Sequence, residues 1–292
     1  MEGNIENNTD FTSICVFPKT LSFPFGFVTL CIMIGNVFVI VSVIRIRSLR
    51  QPCYLILASM ALVDVLTGII GIVVVLRLAL HGRFLYLGET VGWILQKMMV
   101  WSISLSFFHH LYLVAERYFA IMHPYMYIVK VHTRSVVMFL IVTWTIGLLY
   151  FAIIISPLYN EDMYNESNFI FKISIIIPTY ACHLRIYCEA KRKARQVVSS
   201  STSQAVQPKR SDFKAARVTT IILGGFSICI LPSLFHNIAF LTQGEKTRCT
   251  LSYFLSFLSI YIDSMLNPVV YGICNKTFRD SYKNMFHKII CK

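Results

Sequence analysis

Residues 250–273 read TLSYFLSFLSIYIDSMLNPVVYGI, a run in which Asp263 is the only charged side chain. A helix needs about 20 mostly apolar residues to cross the hydrocarbon core of a bilayer, where each backbone N–H and C=O must pair inside the segment. This stretch meets that length. It also carries Asp263, Asn267 and Pro268, polar and helix-breaking groups that need partners on other helices once lipid surrounds them. Moving outward from it, six further apolar segments appear at about 21–44, 53–80, 89–122, 135–156, 169–189 and 218–241. The chain of 292 residues is 56% hydrophobic and 14% charged, whereas about a quarter of residues in soluble domains are charged. The expected fold is therefore an all-α membrane protein, a bundle of seven transmembrane helices. After the last span, 275–288 with the following Ile289 place Phe278, Tyr282, Met285, Phe286 and Ile289 near one face with Lys276, Arg279, Lys283 and Lys288 elsewhere, which predicts a short amphipathic eighth helix at the interface. The domains so read are an extracellular segment 1–20, a membrane domain 21–273, and a cytoplasmic amphipathic helix and tail 274–292.

Seven crossings put the termini on opposite sides, and the distribution of basic residues decides which is which. The first, third and fifth connections hold Arg45, Arg47, Arg50, Lys130, Arg134, Lys191, Arg192, Lys193, Arg195, Lys209, Arg210, Lys214 and Arg217, and the tail adds more. The opposite face holds Lys19, Arg83, Lys246 and Arg248 together with Glu2, Glu6, Asp10, Glu89, Glu161, Asp162, Glu166 and Glu245. A multi-pass plasma-membrane protein with its N-terminus extracellular and its C-terminus cytoplasmic is expected. The net charge of +13 then forms a band at one membrane face rather than a nucleic-acid groove. Residues 1–20 lack a basic start and an apolar core, so the first span is expected to be an uncleaved anchor. The sequons at Asn7 and Asn165 fall outside and are expected to be glycosylated, whereas that at Asn275 lies inside. Residues 196–209, with Ser199, Ser200, Ser201, Thr202, Ser203 and Pro208, read as a flexible cytoplasmic linker, with phosphorylation there as the alternative.

Nine cysteines show no C-x-x-C spacing, so no zinc knuckle or redox pair is expected. His109 and His110 sit mid-span without a second histidine at ligand spacing. One of them is expected to hydrogen-bond to a neighbouring helix. The paired glycines Gly224 and Gly225 lie inside a span, where close packing explains them.

The polar punctuation of the spans has an order. Gly35-Asn36 stands in the first, Met60-Ala61-Leu62-Val63-Asp64 in the second, Glu116-Arg117-Tyr118 at the end of the third, Trp144 in the fourth, Pro178 in the fifth, Cys229-Ile230-Leu231-Pro232 in the sixth and Asn267-Pro268-Val269-Val270-Tyr271 in the seventh. Each motif alone is common. In this succession the chain resembles the rhodopsin-like (class A) G-protein-coupled receptors over nearly its whole length. The resemblance implies a ligand-operated receptor that is not itself an enzyme, that activates a heterotrimeric G protein, and that meets a kinase and arrestin as well as membrane lipids.

It further implies roles for residues. Arg117, beside Glu116, would pair with Asp212 at the start of the sixth helix and hold the bundle closed, although Asp212 also suits a helix N-terminus by its charge alone. Outward movement of the sixth helix would then open a cleft for the G protein. Pro178 and Pro232 would kink their helices, with Pro232 as the hinge, Phe107 and Phe226 as a relay, and Tyr271 swinging inward. Asn36, Asp64, Ser106, Asp263, Ser264 and Asn267 would form the polar cluster that in this family commonly binds a sodium ion. Asp263 stands where Asn is more usual, so the two carboxylates could bind a cation more strongly, share one proton, or leave Asp263 neutral and hydrogen-bonded. Cys291 would be an acylation site.

Several departures qualify the likeness. Gly92 stands where most members have a cysteine bridged to the second extracellular loop, a gap shared with melanocortin, cannabinoid and lysophospholipid receptors. Cys15 and Cys249 are the extracellular cysteines, and a bond between them or two free thiols are the alternatives. Met99 replaces the aspartate that anchors amines, although residues 186–195 look like trace-amine and related amine receptors. No lysine lies between Cys249 and Asn275, so retinal is not expected. Ile230 replaces the aromatic toggle. The residues expected to line the outer cavity are Met99, Val100, Ile103, Ser104, Phe171, Ser174, Ile230, Ser233, Leu234, Asn237, Phe257 and Tyr261. Their mainly apolar character favours a lipid or another weakly polar small molecule. A secondary transporter or a membrane-embedded enzyme is the alternative, against which stand the lack of internal repeats and of paired catalytic groups other than Asp64 and Asp263.

Overall fold

The computed structural model describes residues 17–84, 90–156, 161–199, 210–244 and 250–290. Its elements in chain order are α1 (Ser22–Arg45), α2 (Pro52–His81), α3 (Thr90–Met122), α4 (Pro124–Lys130), α5 (Thr133–Ile154), α6 (Glu161–Ser199), α7 (Arg210–Gln243), α8 (Leu251–Cys274) and α9 (Lys276–Ile290), with single 3₁₀ turns at Lys19–Leu21 and Arg47–Leu49. All but α4 and α9 contain a stretch long and apolar enough to cross a membrane.

Local chemistry sets the ends. Pro52 opens α2 and Pro124 opens α4, at a position where the missing N–H costs nothing. Gly82 closes α2 in the left-handed region at φ 68°, and its N–H bonds the Leu78 carbonyl. The outward face is apolar, with Phe23, Leu148 and Ile228 all more than half exposed. That pattern suits a lipid surround rather than water.

Helix α1 packs on α2 and α8, α3 runs through the middle against α2, α5 and α6, and α7 lies between α6 and α8. Gly35 permits one close crossing: a Cβ there would stand 2.9 Å from Pro268 Cγ, so the α1–α8 approach admits glycine only. At the Ser22 end of the bundle Phe25, Phe84, Phe254 and Tyr261 form a cluster of rings. Midway, Ile103, Phe107, Phe226, Ile230 and Ile260 pack together. At the Arg45 end Val39, Leu57, Met60, Tyr271 and Phe278 do so.

Three features differ from the expectation. Helix α6 runs on through Ser199 and α7 starts at Arg210, well before the apolar run at 218. The residues Ala190, Lys191, Arg192, Lys193, Ala194, Arg195 and Gln196 are good helix formers and carry the spiral past the hydrocarbon limit. The predicted linker at 196–209 therefore begins as helix, and 200–209 lie outside the described residues. The short α4 was invisible to a search for apolar runs. Finally α9 is docked as well as amphipathic. Its Phe278 is fully buried against the rings of Tyr54 and Tyr271, Ser281 Oγ lies 2.7 Å from Ser42 Oγ, and Phe286 meets Phe38 edge-on at 4.8 Å.

Candidate functional site

Buried polar groups run through the bundle in three tiers. At the Arg45 end, Glu116 is buried on α3 and its neighbour Arg117 reaches it through Nε at 2.7 Å and Nη2 at 3.3 Å. A third group joins them: the Tyr127 hydroxyl, from α4, donates to Glu116 Oε1. Burial, and after it this bond, push the Tyr127 hydroxyl above its ordinary value. Tyr118 turns the other way and packs with Val114 and Ile186. The side chain of Asp212, the expected second partner of Arg117, lies outside the described residues.

The middle tier holds Asp64 of α2, fully buried. Ser264 Oγ donates to its Oδ1 at 2.8 Å and Asn267 Nδ2 to its Oδ2 at 3.4 Å. Asn36 Nδ2 donates to the Ser264 carbonyl at 3.2 Å, which ties α1 into the group. Asp263 of α8 is turned to His110 of α3. Its Oδ2 stands 3.6 Å from His110 Nε2, while His110 Nδ1 is 3.1 Å from the Ser106 carbonyl. His110 thus joins the cluster, a member that the sequence reading left out. Its neighbour His109 turns to α2 instead, where Nε2 lies 2.8 Å from Ser59 Oγ, and the same hydroxyl accepts from Trp144 Nε1 at 3.0 Å.

The third tier is a cavity of about 60 Å³ toward the Ser22 end, between α3, α6, α7 and α8. Of the expected lining residues Val100, Ile103, Ser233, Asn237 and Phe257 are in its wall, joined by Gln96, Lys172, His236, Phe240, Leu241, Tyr253, Ser256 and Ile260. Lys172 is the unexpected member. It is buried, and its Nζ donates to Ser233 Oγ at 2.7 Å and, with the Asn237 amide turned to suit its surroundings, to that side-chain oxygen at 3.2 Å.

A family model for the seven-transmembrane receptors of the rhodopsin family matches residues 35–271. The chain belongs to that family. Among similar proteins, Trace amine-associated receptor 1 of Mus musculus is 27% identical over 286 residues, covering 88% of this chain and 85% of the relative. Trace amine-associated receptor 13c of Danio rerio is 23% identical, covering 85% and 80%. Lysophosphatidic acid receptor 3 of Homo sapiens is 25% identical, covering 91% and 77%. This rhodopsin-family receptor is accordingly a multi-pass membrane protein and a receptor rather than an enzyme.

The remaining expected site residues separate by packing. Phe107 and Phe226 meet edge to face at 5.4 Å, beside Ile230 and Leu234. Those last two belong to this apolar cluster and not to the cavity wall, to which α7 gives Ser233, His236 and Asn237 instead. Met99 and Tyr261 also leave the expected lining. Met99 packs in the ring cluster at the Ser22 end, and the Tyr261 hydroxyl donates to the Thr67 carbonyl at 3.3 Å. Phe171 turns to Phe108 and Tyr150, Ser174 is exposed and bonds its own helix at Phe171, and Ser104 is buried away from the cavity. Pro178 and Pro232 lie inside α6 and α7, and Pro268 inside α8. Asn7, Cys15, Cys249 and Cys291, and the Asn165 side chain, lie outside the described residues.

Proposed function

We propose that this rhodopsin-family receptor sits in the plasma membrane with its N-terminus outside, binds a small molecule with a largely apolar body in the cavity at the Ser22 end, and answers by activating a heterotrimeric G protein at the Arg45 end. One observation carries the reading. A single helix, α7, supplies Ser233, His236 and Asn237 to the cavity and Phe226 and Ile230 to the packed cluster against Phe107 of α3, the helix that ends in Glu116 and Arg117. A ligand that displaces α7 therefore works against the same contacts that fix the inner end of α3. Outward movement of α7 about Pro232 opens the cytoplasmic side. The excess of Lys and Arg in the connections on that side supports the orientation.

Two further points belong to this proposal. The names of the relatives include trace amines and lysophosphatidic acid, and Met99, with no carboxylate among the described cavity residues, argues against a ligand ammonium. The oxygen-rich middle tier suits a hard monovalent cation. Asn36 Oδ1 is buried with no hydrogen-bond partner among the described residues and is tied to Asp64 through Ser264, so Asp64, Asn36 and Ser264 would hold sodium there.

The test is ligand-free and ligand-driven nucleotide exchange on a panel of G proteins, read in cells at matched surface expression. Arg117→Ala is expected to silence both signals. An unchanged response in that variant overturns the assignment of the coupling end.

A further inference from the structure

Lys172 places an amine in the wall of the cavity, and the groups that it touches among the described residues are neutral. Only 6% of the residue is exposed, and its hydrogen bonds go to the Ser233 hydroxyl and the Asn237 amide oxygen. Among the described residues no carboxylate lies within ion-pair distance of it. An ammonium has three donor protons, so those two bonds leave one proton for a further partner. A buried charge without a counter-charge is costly, and it persists where something other than fold stability selects it.

The neighbours repeat the pattern. His236 is 8% exposed, one residue before Asn237, and its Nδ1 is buried with no hydrogen-bond partner among the described residues. Gln96 and Ser256 add uncharged polar groups to the same wall. The rest is apolar or aromatic, Tyr253, Phe257 and Ile260 among them.

From this juxtaposition we propose that the ligand of this cavity carries an anionic oxygen headgroup, a carboxylate or a phosphate monoester, which docks on Lys172 beside Ser233, Asn237 and His236 while its apolar body lies along Tyr253, Phe257 and Ile260. The inference rests on the reading of the cavity as the ligand site and narrows its chemistry. An ammonium ligand is excluded by the same geometry, since it would bring a like charge to Nζ with no acid in the described wall to offset it. The anion supplies the missing counter-charge and takes the remaining proton in a charge-assisted hydrogen bond.

The experiment uses the full-length receptor in cells and three sets of probes. These are small aryl and fatty carboxylates, lysophosphatidic acid as the phosphate monoester, and the matched neutral amides, alcohols and amines. Arg117→Ala in parallel establishes whether any signal is G-protein coupling. A probe from the first or second set is expected to activate the wild type, and which set responds tells carboxylate from phosphate. Lys172→Met is expected to weaken that probe about 10- to 100-fold, the loss of a hydrogen bond to a charged group, whereas Lys172→Arg retains part of the response. The neutral analogue should be weak on the wild type and no weaker on Lys172→Met.

A second measurement needs no ligand. In detergent, purified Lys172→Met is expected to melt above the wild type, because an uncompensated buried charge has been exchanged for an apolar chain of similar length. A lower melting temperature overturns the proposal, since it makes Lys172 a structural strut. So does an amine or neutral probe equally potent on both proteins, and so does silence of both anionic sets in cells where wild-type basal coupling exceeds that of Arg117→Ala. Absence of any coupling above Arg117→Ala in every arm would count instead against the receptor reading of the previous section.

Discussion

Replacing Tyr127 by Phe removes one oxygen from the Arg45 end and nothing else, because the ring keeps its place against α3. The Glu116 carboxylate, buried on α3, is held by Arg117 at 2.7 and 3.3 Å and by the Tyr127 hydroxyl of α4. A hydrogen bond to a charged group contributes about 1.5–3 kcal/mol. Tyr127 is half-buried, which places its bond near the lower figure. With about 1.4 kcal/mol to each factor of ten, Tyr127→Phe should raise the ratio of released to held receptor about tenfold. A receptor released about 1% of the time becomes released about 10% of the time. The assay is ligand-free nucleotide exchange at matched surface expression, with Arg117→Ala as the zero. A basal rate no higher than wild type would refute the reasoning, since the bond would then contribute nothing to the closed arrangement. Burial and the Glu116 bond raise the Tyr127 hydroxyl, so this tyrosine stays a neutral donor below its ordinary value near pH 10. Its contribution is complete there and is lost only at higher pH, so wild-type basal exchange should show no tyrosine-dependent step between about pH 6 and pH 9.

Asp212→Asn tests the second half of the same restraint: if its carboxylate pairs with Arg117, basal exchange rises, and a rate equal to wild type removes Asp212 from the restraint. Gly35→Val brings a branched side chain into the place where a lone Cβ already meets Pro268 Cγ at 2.9 Å, so it should destabilise the bundle by about 1–3 kcal/mol; an unchanged melting temperature in detergent would contradict the close α1–α8 crossing. Asp64→Asn should abolish any dependence of basal signalling on sodium against a larger monovalent cation, and a sodium effect that survives would move the cation elsewhere.

The seven spans were legible because burial in lipid imposes one simple demand, a run of apolar residues long enough to cross, and each span meets it. The family was legible because its polar residues interrupt those runs in a fixed order. What could not be read was which way a side chain faces. Lys172 was visible only as the one lysine within 169–189, and a lysine four residues into a span ordinarily extends to the headgroups. Its inward turn depends on α7 presenting Ser233 and Asn237, one turn apart, against α6. The same packing displaced Ile230 and Leu234 from the expected cavity wall into the cluster with Phe107 and Phe226. Tyr127 was missed for a different reason. Its helix is seven residues long and too short for periodicity to be recognised, and its partner Glu116 is eleven residues away in sequence.

The middle of the bundle is where the two ends must communicate, and its hydrogen bonding is incomplete. Asn36 Oδ1 on α1, His110 Nε2 on α3 and the Tyr271 hydroxyl on α8 are all buried with no hydrogen-bond partner among the described residues. Each such group costs about 1–3 kcal/mol if left dry. An apolar core of this depth would have one best packing, and small displacements of its helices would be opposed on every side. Here the three orphaned groups belong to three helices that all meet the Asp64–Ser264–Asn267 and Asp263–His110 contacts. A second arrangement that pairs these groups directly would be favoured by their relief, which makes this tier the soft layer between two ordered ones. On the ligand site proposed above, a ligand at Lys172 would need to shift α7 only enough to change partners there for the Glu116–Arg117–Tyr127 contacts to feel it.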